Sequence, residues 1–570
     1  MENIEIARML SQTADLMEIA GEDGFRIRSY RNAASALEGF PERVEDLLKT
    51  PGRSLTEIAG IGKGLAAVVG EIVAHGSFEK RDLLLERYPP TALEMLNIQG
   101  LGPKSIALII EHFRVTSIEE LERLCKDQRL RTLPRMGAKL EEKVLRSIAA
   151  YRQSAGRFLL RFGVSVAEEL TQYLEQPRVE AAGSLRRGRE TVGDLDLLVC
   201  AGEPEPVLKK FVTHPKVGEV LARGENKASV KFGLEQIQVD VRVLPEESYG
   251  AALQYFTGSK THNVALRQRA LRQGLTLSEY GLFQVADNAR VAGRTEEEVY
   301  ERLGLLWIPP ELREGQGEIE AAEQQALPRL VELGDIRGDL HMHTTATDGR
   351  ASLEEMAQAA KELGREYIAI TDHSKALAMA NGLDEERVVT FARNVRGIDH
   401  DGLGIRVFSG LECDIRRDGT MDIADDALAE LDFVVASVHS FMNLEPAEMT
   451  DRLLRALENP HVRVLGHPTG RVLLHRDGYG FDFERVASAA AARGIALEIN
   501  ASPERLDIHG AMIRSAKAKG CKFTISTDAH HPKHLGNMRY GVVTARRGWL
   551  EASDILNTLP LREFSTQVIQ

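Results

Sequence analysis

The chain has 570 residues, a formal net charge of −13, 43% hydrophobic and 28% charged residues, which is more than one hydrophobic core holds and sets about three or four structural units as the expectation. It carries no apolar run of about eighteen residues able to cross a bilayer, and its N-terminus, MENIEIARML, lacks the basic-then-apolar pattern of a signal peptide, so a cytoplasmic chain is expected. The acidic average excludes a uniformly basic, polyanion-binding surface and leaves that contact to local features. Cys125, Cys200, Cys413 and Cys521 form no C-x-x-C pair, which argues against a disulfide framework and a thiolate zinc site. Of 16 histidines, 12 fall at or after residue 334, which points to a metal site in the C-terminal part.

Residues 1 to about 150 read as short amphipathic helices, as in LTEIAGIGKGLAAVVGEIV. A turn recurs at Ile58-Ala-Gly-Ile-Gly-Lys63 and Ile98-Gln-Gly-Leu-Gly-Pro-Lys104, with a degenerate third copy at Leu133-Pro-Arg-Met-Gly-Ala-Lys139. Gly60, Gly62, Gly100 and Gly102 bare backbone N–H groups that can hold a phosphate, with Lys63 and Lys104 beside them. These turns resemble helix-hairpin-helix elements, which grip DNA backbones without reading sequence. The bland reading is a glycine-rich helix connection, and repetition favours the functional one.

From about 155 to 315 strands and helices mix. In Thr191-Val-Gly-Asp-Leu-Asp-Leu-Leu-Val199 the alternation puts Asp194 and Asp196 on one strand face and leucines on the other, and in Gln238-Val-Asp-Val-Arg-Val243 it does the same for Asp240. Three such carboxylates can hold two divalent cations, one activating a 3′-hydroxyl and one bridging a triphosphate. Alternating aspartates alone are usually a solvated face, but Gly183-Ser-Leu-Arg-Arg-Gly188 supplies a Gly-Ser turn and basic residues upstream.

GSLRRGRETVGDLDLLV, QVDVRV and YFTGSKTHN, in this order, resemble the family X DNA polymerases, of the DNA polymerase beta kind, over roughly residues 1 to 315. The resemblance implies a catalytic metal triad of Asp194, Asp196 and Asp240, with triphosphate contacts from Ser184, Arg187 and Gly193. It makes Tyr255, Phe256 and Gly258 the segment that senses the sugar, and sets Asn263 and Arg267 near the nascent base pair. It breaks at Val68, where relatives with 5′-deoxyribose phosphate lyase activity carry a Schiff-base lysine, and at Gly64, although Lys63 and Lys80 remain nearby. Lys260 stands where polymerase beta has an acidic residue.

Glu314 to Glu332 is polar and acidic, the pattern of a tether. Beyond it DLHMH, YIAITDH, IRVFSGLE, FVVASVHS, VRVLGHP, IALEIN and FTISTDAH alternate with helices, as in a parallel β/α barrel whose site lies where the strands end. His341, His343, Asp348, His373, Glu412, His439, His467, Asp528 and His530 fall at those ends. Any one histidine could be a satisfied core residue; nine such residues together are not accidental. The set resembles the polymerase and histidinol phosphatase (PHP) domain over about 334 to 570 and implies a trinuclear site with Glu412 bridging two ions. His531 and His534 read as surface residues.

The whole chain resembles the bacterial and archaeal family X polymerases, with a multidomain α and α/β fold. The expected divisions are an N-terminal helix-hairpin-helix domain (1–85), a second helical DNA-binding subdomain (86–153), an α+β nucleotidyltransferase palm (154–260), a nascent-base-pair subdomain (261–315), a linker (316–333) and a (βα)7 distorted TIM-like barrel (334–570). The implied function is filling of short gaps in DNA repair with deoxynucleoside triphosphates, with removal of 3′ nucleotides by the barrel and cutting at abasic sites as a further reaction. The implied cofactors are two Mg2+ or Mn2+ ions at the palm and up to three Zn2+, Mn2+ or Fe ions at the barrel. Two rivals are a barrel that is a phosphatase for small phosphomonoesters and a non-enzymatic DNA-end scaffold.

Overall fold

The computed structural model describes residues 3–569, apart from 41, 42, 51, 59, 135, 155 and 399. The chain divides into two compact units, Met1–Ala155 with Leu474–Arg476, and Gly156–Leu473 with Asp477–Gln570.

The first unit is helical, with Asp23 and Ser117 capping Gly24–Gly39 and Ile118–Lys126 through their side-chain oxygens. Its repeated turns share one geometry: the Ile61, Leu101 and Met136 amides donate to the Ile58, Ile98 and Leu133 carbonyls at 3.0, 3.1 and 3.2 Å. These apolar residues are all buried, so each turn is pinned into the core by its side chains while its glycines stay outside. Gly60 and Gly100 adopt φ of 91° and 100°, the left-handed region that disfavours any side chain. Gly62 and Gly102 cap the helices Lys63–His75 and Pro103–Phe113 in ordinary extended backbone, with no side-chain cap. Ala59 and Arg135, in the first and third copies, lie outside the described residues.

The second unit begins with a five-stranded mixed sheet: β1 (Val179–Ala181), β2 (Asp194–Cys200), β3 (Val217–Arg223), β4 (Lys227–Phe232) and β5 (Ile237–Leu244), in spatial order β1-β2-β5-β4-β3. β2 and β5 run parallel and the other pairs antiparallel. Leu195, Leu197, Val199, Val239, Val241 and Val243 form one core with residues of the helices Leu160–Leu174 and Pro204–Val212, which leaves the aspartates on the opposite strand faces.

A meander follows, β6 (Leu275–Ser278), β7 (Gly281–Gln284) and β8 (Arg290–Ala292). It is tied to the palm through buried Glu296, which accepts from Arg186 at 2.8 and 2.9 Å, Arg313 at 2.6 Å and Trp307 at 3.1 Å. Burial pushes the Glu296 carboxyl up, but Arg313 and Arg186 outweigh it and bring the group down to about 2.

The expected tether is packed instead. Its residues form the helix Glu318–Glu323, and Glu318 is fully buried, 2.7 Å from His262 Nδ1, while accepting the Gly315 and Gln316 amides at 2.9 and 2.6 Å. Val331 is also buried and donates to the Leu550 carbonyl at 2.9 Å. An acidic composition reads as solvated, and the partner that takes Glu318 inward is distant in sequence.

The barrel strands are β9 (Gly338–Asp339), β10 (Tyr367–Ile370), β11 (Arg406–Asp414), β12 (Phe433–Ser437), β13 (Val462–Leu465), β14 (Ala496–Asn500) and β15 (Phe523–Ser526), all parallel and in chain order. A parallel bridge between Met342 and Ala529, with the His343 amide donating to the Ala529 carbonyl at 2.8 Å, nearly closes the ring. Palm and barrel share a core, since Leu506 and Tyr540 bury in the cluster of Leu160, Leu185 and Val192. Arg547 adds bonds to the Arg187 carbonyl at 2.8 Å and to Glu314 at 3.1 Å.

Candidate active sites in the palm and the barrel

The parallel register of β2 and β5 sets Asp194 opposite Gln238 and Asp196 opposite Asp240, so the alternation read from the sequence becomes one carboxylate face. Burial, then Asp194 and Asp240, pushes the Asp196 carboxyl up to about 6. Asp240 goes the other way: burial raises it, but Lys227, Ser229 and Gln238 hold it below its ordinary value, with the Lys227 ammonium in direct contact. Three crowded carboxylates, one of them driven toward its protonated form, are a donor set that fits divalent cations.

Ala182 donates to the Asp196 carbonyl at 2.8 Å, which brings the four-residue helix Gly183–Arg186, with Ser184, to the edge of that face. At Gly183, φ is 61° and a Cβ would lie 3.0 Å from Asp196 Oδ2, a conformation and a close approach that favour glycine. Gly193 precedes β2 with Arg157 close by, and Arg157 Nε donates to Thr191 Oγ1 at 2.8 Å. Arg187 does not project freely: its Nε lies 3.2 Å from Glu314 and its Nη1 donates to the Thr257 carbonyl. Tyr255 and Phe256 end the helix Glu246–Thr257, and Gly258 caps it at φ 63°. Asn263 links this segment to the next helix by donating to the Tyr255 carbonyl at 2.7 Å and accepting from Gln254 at 2.8 Å. Arg267, exposed on the same helix, sits 5.8 Å from the Tyr255 ring centroid.

The hairpin residues Gly62, Lys63, Gly102 and Lys104 are exposed, and nothing lies within 4 Å of a Cβ built at Gly62 or Gly102. Val68 packs against the helical core, and Lys80 is paired with Glu22.

In the barrel the nine residues converge on the carboxyl ends of the strands. Three overlapping groups have ligand atoms within 4.8 Å of one another: His343, Asp348, His373 and His530; His341, His343 and Asp528; His373, Glu412 and His439. His467 joins through Nε2, 2.8 Å from Glu412 Oε1. His341 Nε2 and His343 Nδ1 are buried without a hydrogen-bond partner, and such nitrogens beside carboxylates fit metal ions.

The electrostatics agree with that fit. Burial pushes Glu412 up, but His439, His341 and His373 hold it well below the carboxylate range. His373 and His439 are lowered by burial yet raised overall, to about 10 and about 9, first by Glu412. Burial and the neighbouring His530 and His373 push His343 down to about 3. The carboxylate charge thus exceeds what neutral imidazoles balance, which suits cations.

Sequence reasoning missed the residues behind the nine. Glu498, fully buried on β14, lies 2.7 Å from His341 Nδ1 and accepts the His467 amide at 2.6 Å, fixing two histidines at once. Asn500 donates to Asp528 at 3.1 Å, and Asp414 accepts the His439 amide at 3.2 Å. The signal for Glu498 was a carboxylate inside an otherwise apolar strand; for Asp414 it was the two-residue spacing from Glu412 along β11. Lys227 on β4 left no signal, because its partner Asp240 is reached only through sheet pairing. His534 is exposed, as expected, whereas His531 is half-buried and its Nδ1 accepts the Lys533 amide at 3.1 Å.

Fold and sites together define a polymerase beta-like palm with helix-hairpin-helix elements, joined to a PHP-type barrel. Residues 1–78 match the helix-hairpin-helix domain family, 92–150 the SAM-like helix-hairpin-helix tandem, 252–314 the DNA polymerase beta thumb and 339–502 the PHP domain. The chain is 37% identical over 568 residues to a DNA polymerase/3′-5′ exonuclease PolX of Bacillus subtilis (strain 168), covering 99% of this chain and 98% of that protein. It is 25% identical over 354 residues to the DNA polymerase lambda of Rattus norvegicus, covering 55% of this chain and 56% of that protein. A probable phosphatase of Shewanella sp. (strain MR-4) is 31% identical over 208 residues, covering 35% of this chain and 78% of that protein. The chain belongs to the family X DNA polymerases that carry a C-terminal PHP domain, and it is an enzyme of that family.

Proposed function

We propose that the palm adds deoxynucleotides to the 3′ end of primed or gapped duplex DNA, and that the barrel hydrolyses phosphodiesters at 3′ ends, with abasic sites as a further substrate. The observation that carries the reading is the convergence of two separate metal-fitting centres, one on β2 and β5 and one at the strand ends of the barrel. At the palm, Asp194, Asp196 and Asp240 hold two Mg2+ or Mn2+ ions. Bound there, the ions supply activation of the 3′-hydroxyl and neutralisation of the triphosphate. Ser184 and the backbone beside Gly183 and Gly193 face the phosphates, while Tyr255, Phe256, Gly258, Asn263 and Arg267 border the sugar and base. Arg187 reaches a triphosphate only by leaving Glu314.

At the barrel, His341, His343, Asp348, His373, Glu412, His439, His467, Asp528 and His530 hold up to three Zn2+, Mn2+ or Fe ions. Glu498 keeps His341 and His467 oriented. Gly60, Gly62, Lys63, Gly100, Gly102 and Lys104 hold the DNA backbone. We assign the divisions 1–85, 86–153, 154–260, 261–315 and 334–570 to the units named above, with 316–333 as a packed connection, and the cytoplasm as the location; no helix of the described residues is long and apolar enough to cross a membrane.

The test pairs two double variants. Asp194→Ala with Asp196→Ala should abolish primer extension and leave 3′-end digestion within about threefold of the parent. His341→Ala with His343→Ala should do the reverse. Extension near the parent rate in the first, or digestion persisting in the second, sinks the corresponding assignment. A second reading, phosphatase action on small phosphomonoesters, is favoured by the similarity of the barrel to a probable phosphatase, and competition between a 3′-recessed duplex and glycerol phosphate separates the two.

A further inference from the structure

Among the described residues of the barrel, the exposed large apolar side chains are Leu363, Met379 and Phe441, at 49%, 100% and 56% exposure. Leu363 caps the helix Leu353–Glu362, before β10, away from the histidines. The other two lie on loops that leave the carboxyl ends of strands, the face that carries the metal-fitting cluster. Phe441 comes two residues after His439, in the loop that follows β12.

Phe441 combines two unfavourable features. Its ring stands in water, and its backbone has φ of 52°, a left-handed conformation costly for a bulky residue and characteristic of positions fixed for function. The conformation is enforced: buried Arg452 donates to the Ser440 carbonyl at 2.9 Å and the Phe441 carbonyl at 3.4 Å, and also to the Arg416 carbonyl at 2.9 Å. One guanidinium thus ties the loop after β12 to the loop after β11, whose Glu412 lies in the cluster. The second loop brings Arg417, whose guanidinium sits 5.9 Å from the Phe441 ring centroid and is held by Glu448 at 3.1 Å, and whose side chain is 61% exposed. An aromatic ring and an exposed guanidinium, rigidly presented beside a phosphoester-cleaving centre, are the surfaces on which nucleobases stack.

We infer that Phe441, with Arg417, is a base-stacking shelf that seats a nucleobase near the 3′ end of the DNA strand whose terminal phosphodiester enters the barrel. The inference rests on the nuclease reading above and gives that site its preference for nucleic acid over small phosphoesters.

The experiment uses the full chain and primers carrying one dihydrothymine, whose saturated ring is not planar and stacks poorly, at the 3′-terminal or the penultimate position. The parent should lose about ten- to a hundred-fold in kcat/KM for 3′-end digestion when the stacked base is the saturated one. Phe441→Ala should digest an all-aromatic primer that much more slowly and become indifferent to the dihydrothymine position, with bound metal and primer extension unchanged. Phe441→Trp should restore both the rate and the discrimination. A parent indifferent to both dihydrothymine positions, a Phe441→Ala variant as fast as the parent, or one slowed equally on all-aromatic and dihydrothymine ends overturns the shelf. Digestion that survives His341→Ala with His343→Ala overturns the nuclease reading instead.

Discussion

Asp196 shows how a single residue carries both legible and hidden information. Its place on a carboxylate face follows from alternation along β2; the push on its carboxyl up to about 6 comes from burial, Asp194 and Asp240. A native state that binds the proton more tightly than the unfolded chain loses stability as pH rises from the ordinary aspartate value through about 6. In a chelator, Asp196→Asn should therefore gain about 1–3 kcal/mol of stability over the parent between pH 4 and pH 7. Added Mg2+ should shrink the difference by neutralising the three carboxylates. Chemical denaturation of both proteins across that range checks it, and parallel pH profiles would show that Asp196 titrates normally.

At the scale of the element, the hairpin glycines divide into two kinds that the sequence does not distinguish. Gly60 and Gly100 have positive φ, and a Cβ at Gly100 would meet Leu140 at 2.9 Å, so substituting them confounds folding with binding. Gly62 and Gly102 have negative φ, open surroundings and the N-cap position, where aspartate caps a helix at least as well as glycine. Gly62→Asp with Gly102→Asp should therefore leave the unfolding temperature unchanged or slightly raised. The same pair should weaken binding to gapped DNA of every sequence, because the carboxylates repel phosphate. Each lost phosphate contact should flatten the salt dependence by about 0.9 in log–log slope. A salt titration matching the parent would reduce the hairpins to helix connections.

At the scale of the molecule, palm and barrel are not beads on a string. Gly188 sits at φ 63° with Val543 Cγ1 2.1 Å from where a Cβ would stand, and Val543 belongs to the barrel's last long helix, Met538–Arg547. Gly188→Ala should cost about 1–3 kcal/mol through backbone strain and overpacking. Because the two share a core, calorimetry should show the palm and barrel transitions shifting down together. A shift confined to the palm would mean that the two unfold independently.

The sequence by itself determined the elements and most of the chemistry. Period-two alternation put the aspartates on one face, six of the seven apolar strands ended in histidines or carboxylates, and the Gly-x-Gly turns announced their helices, since each signal is local and survives in a string of letters. Only the tertiary structure decided what depends on distant pairing. It buried Glu318 against His262 and so turned a polar tether into a packed helix, set Glu498 behind His341 and His467, drew Arg187 to Glu314, and used Arg452 to hold Phe441 beside the barrel site. In the first three cases the deciding partner is far away along the chain, and composition reports how polar a residue is without reporting which partner compensates its burial.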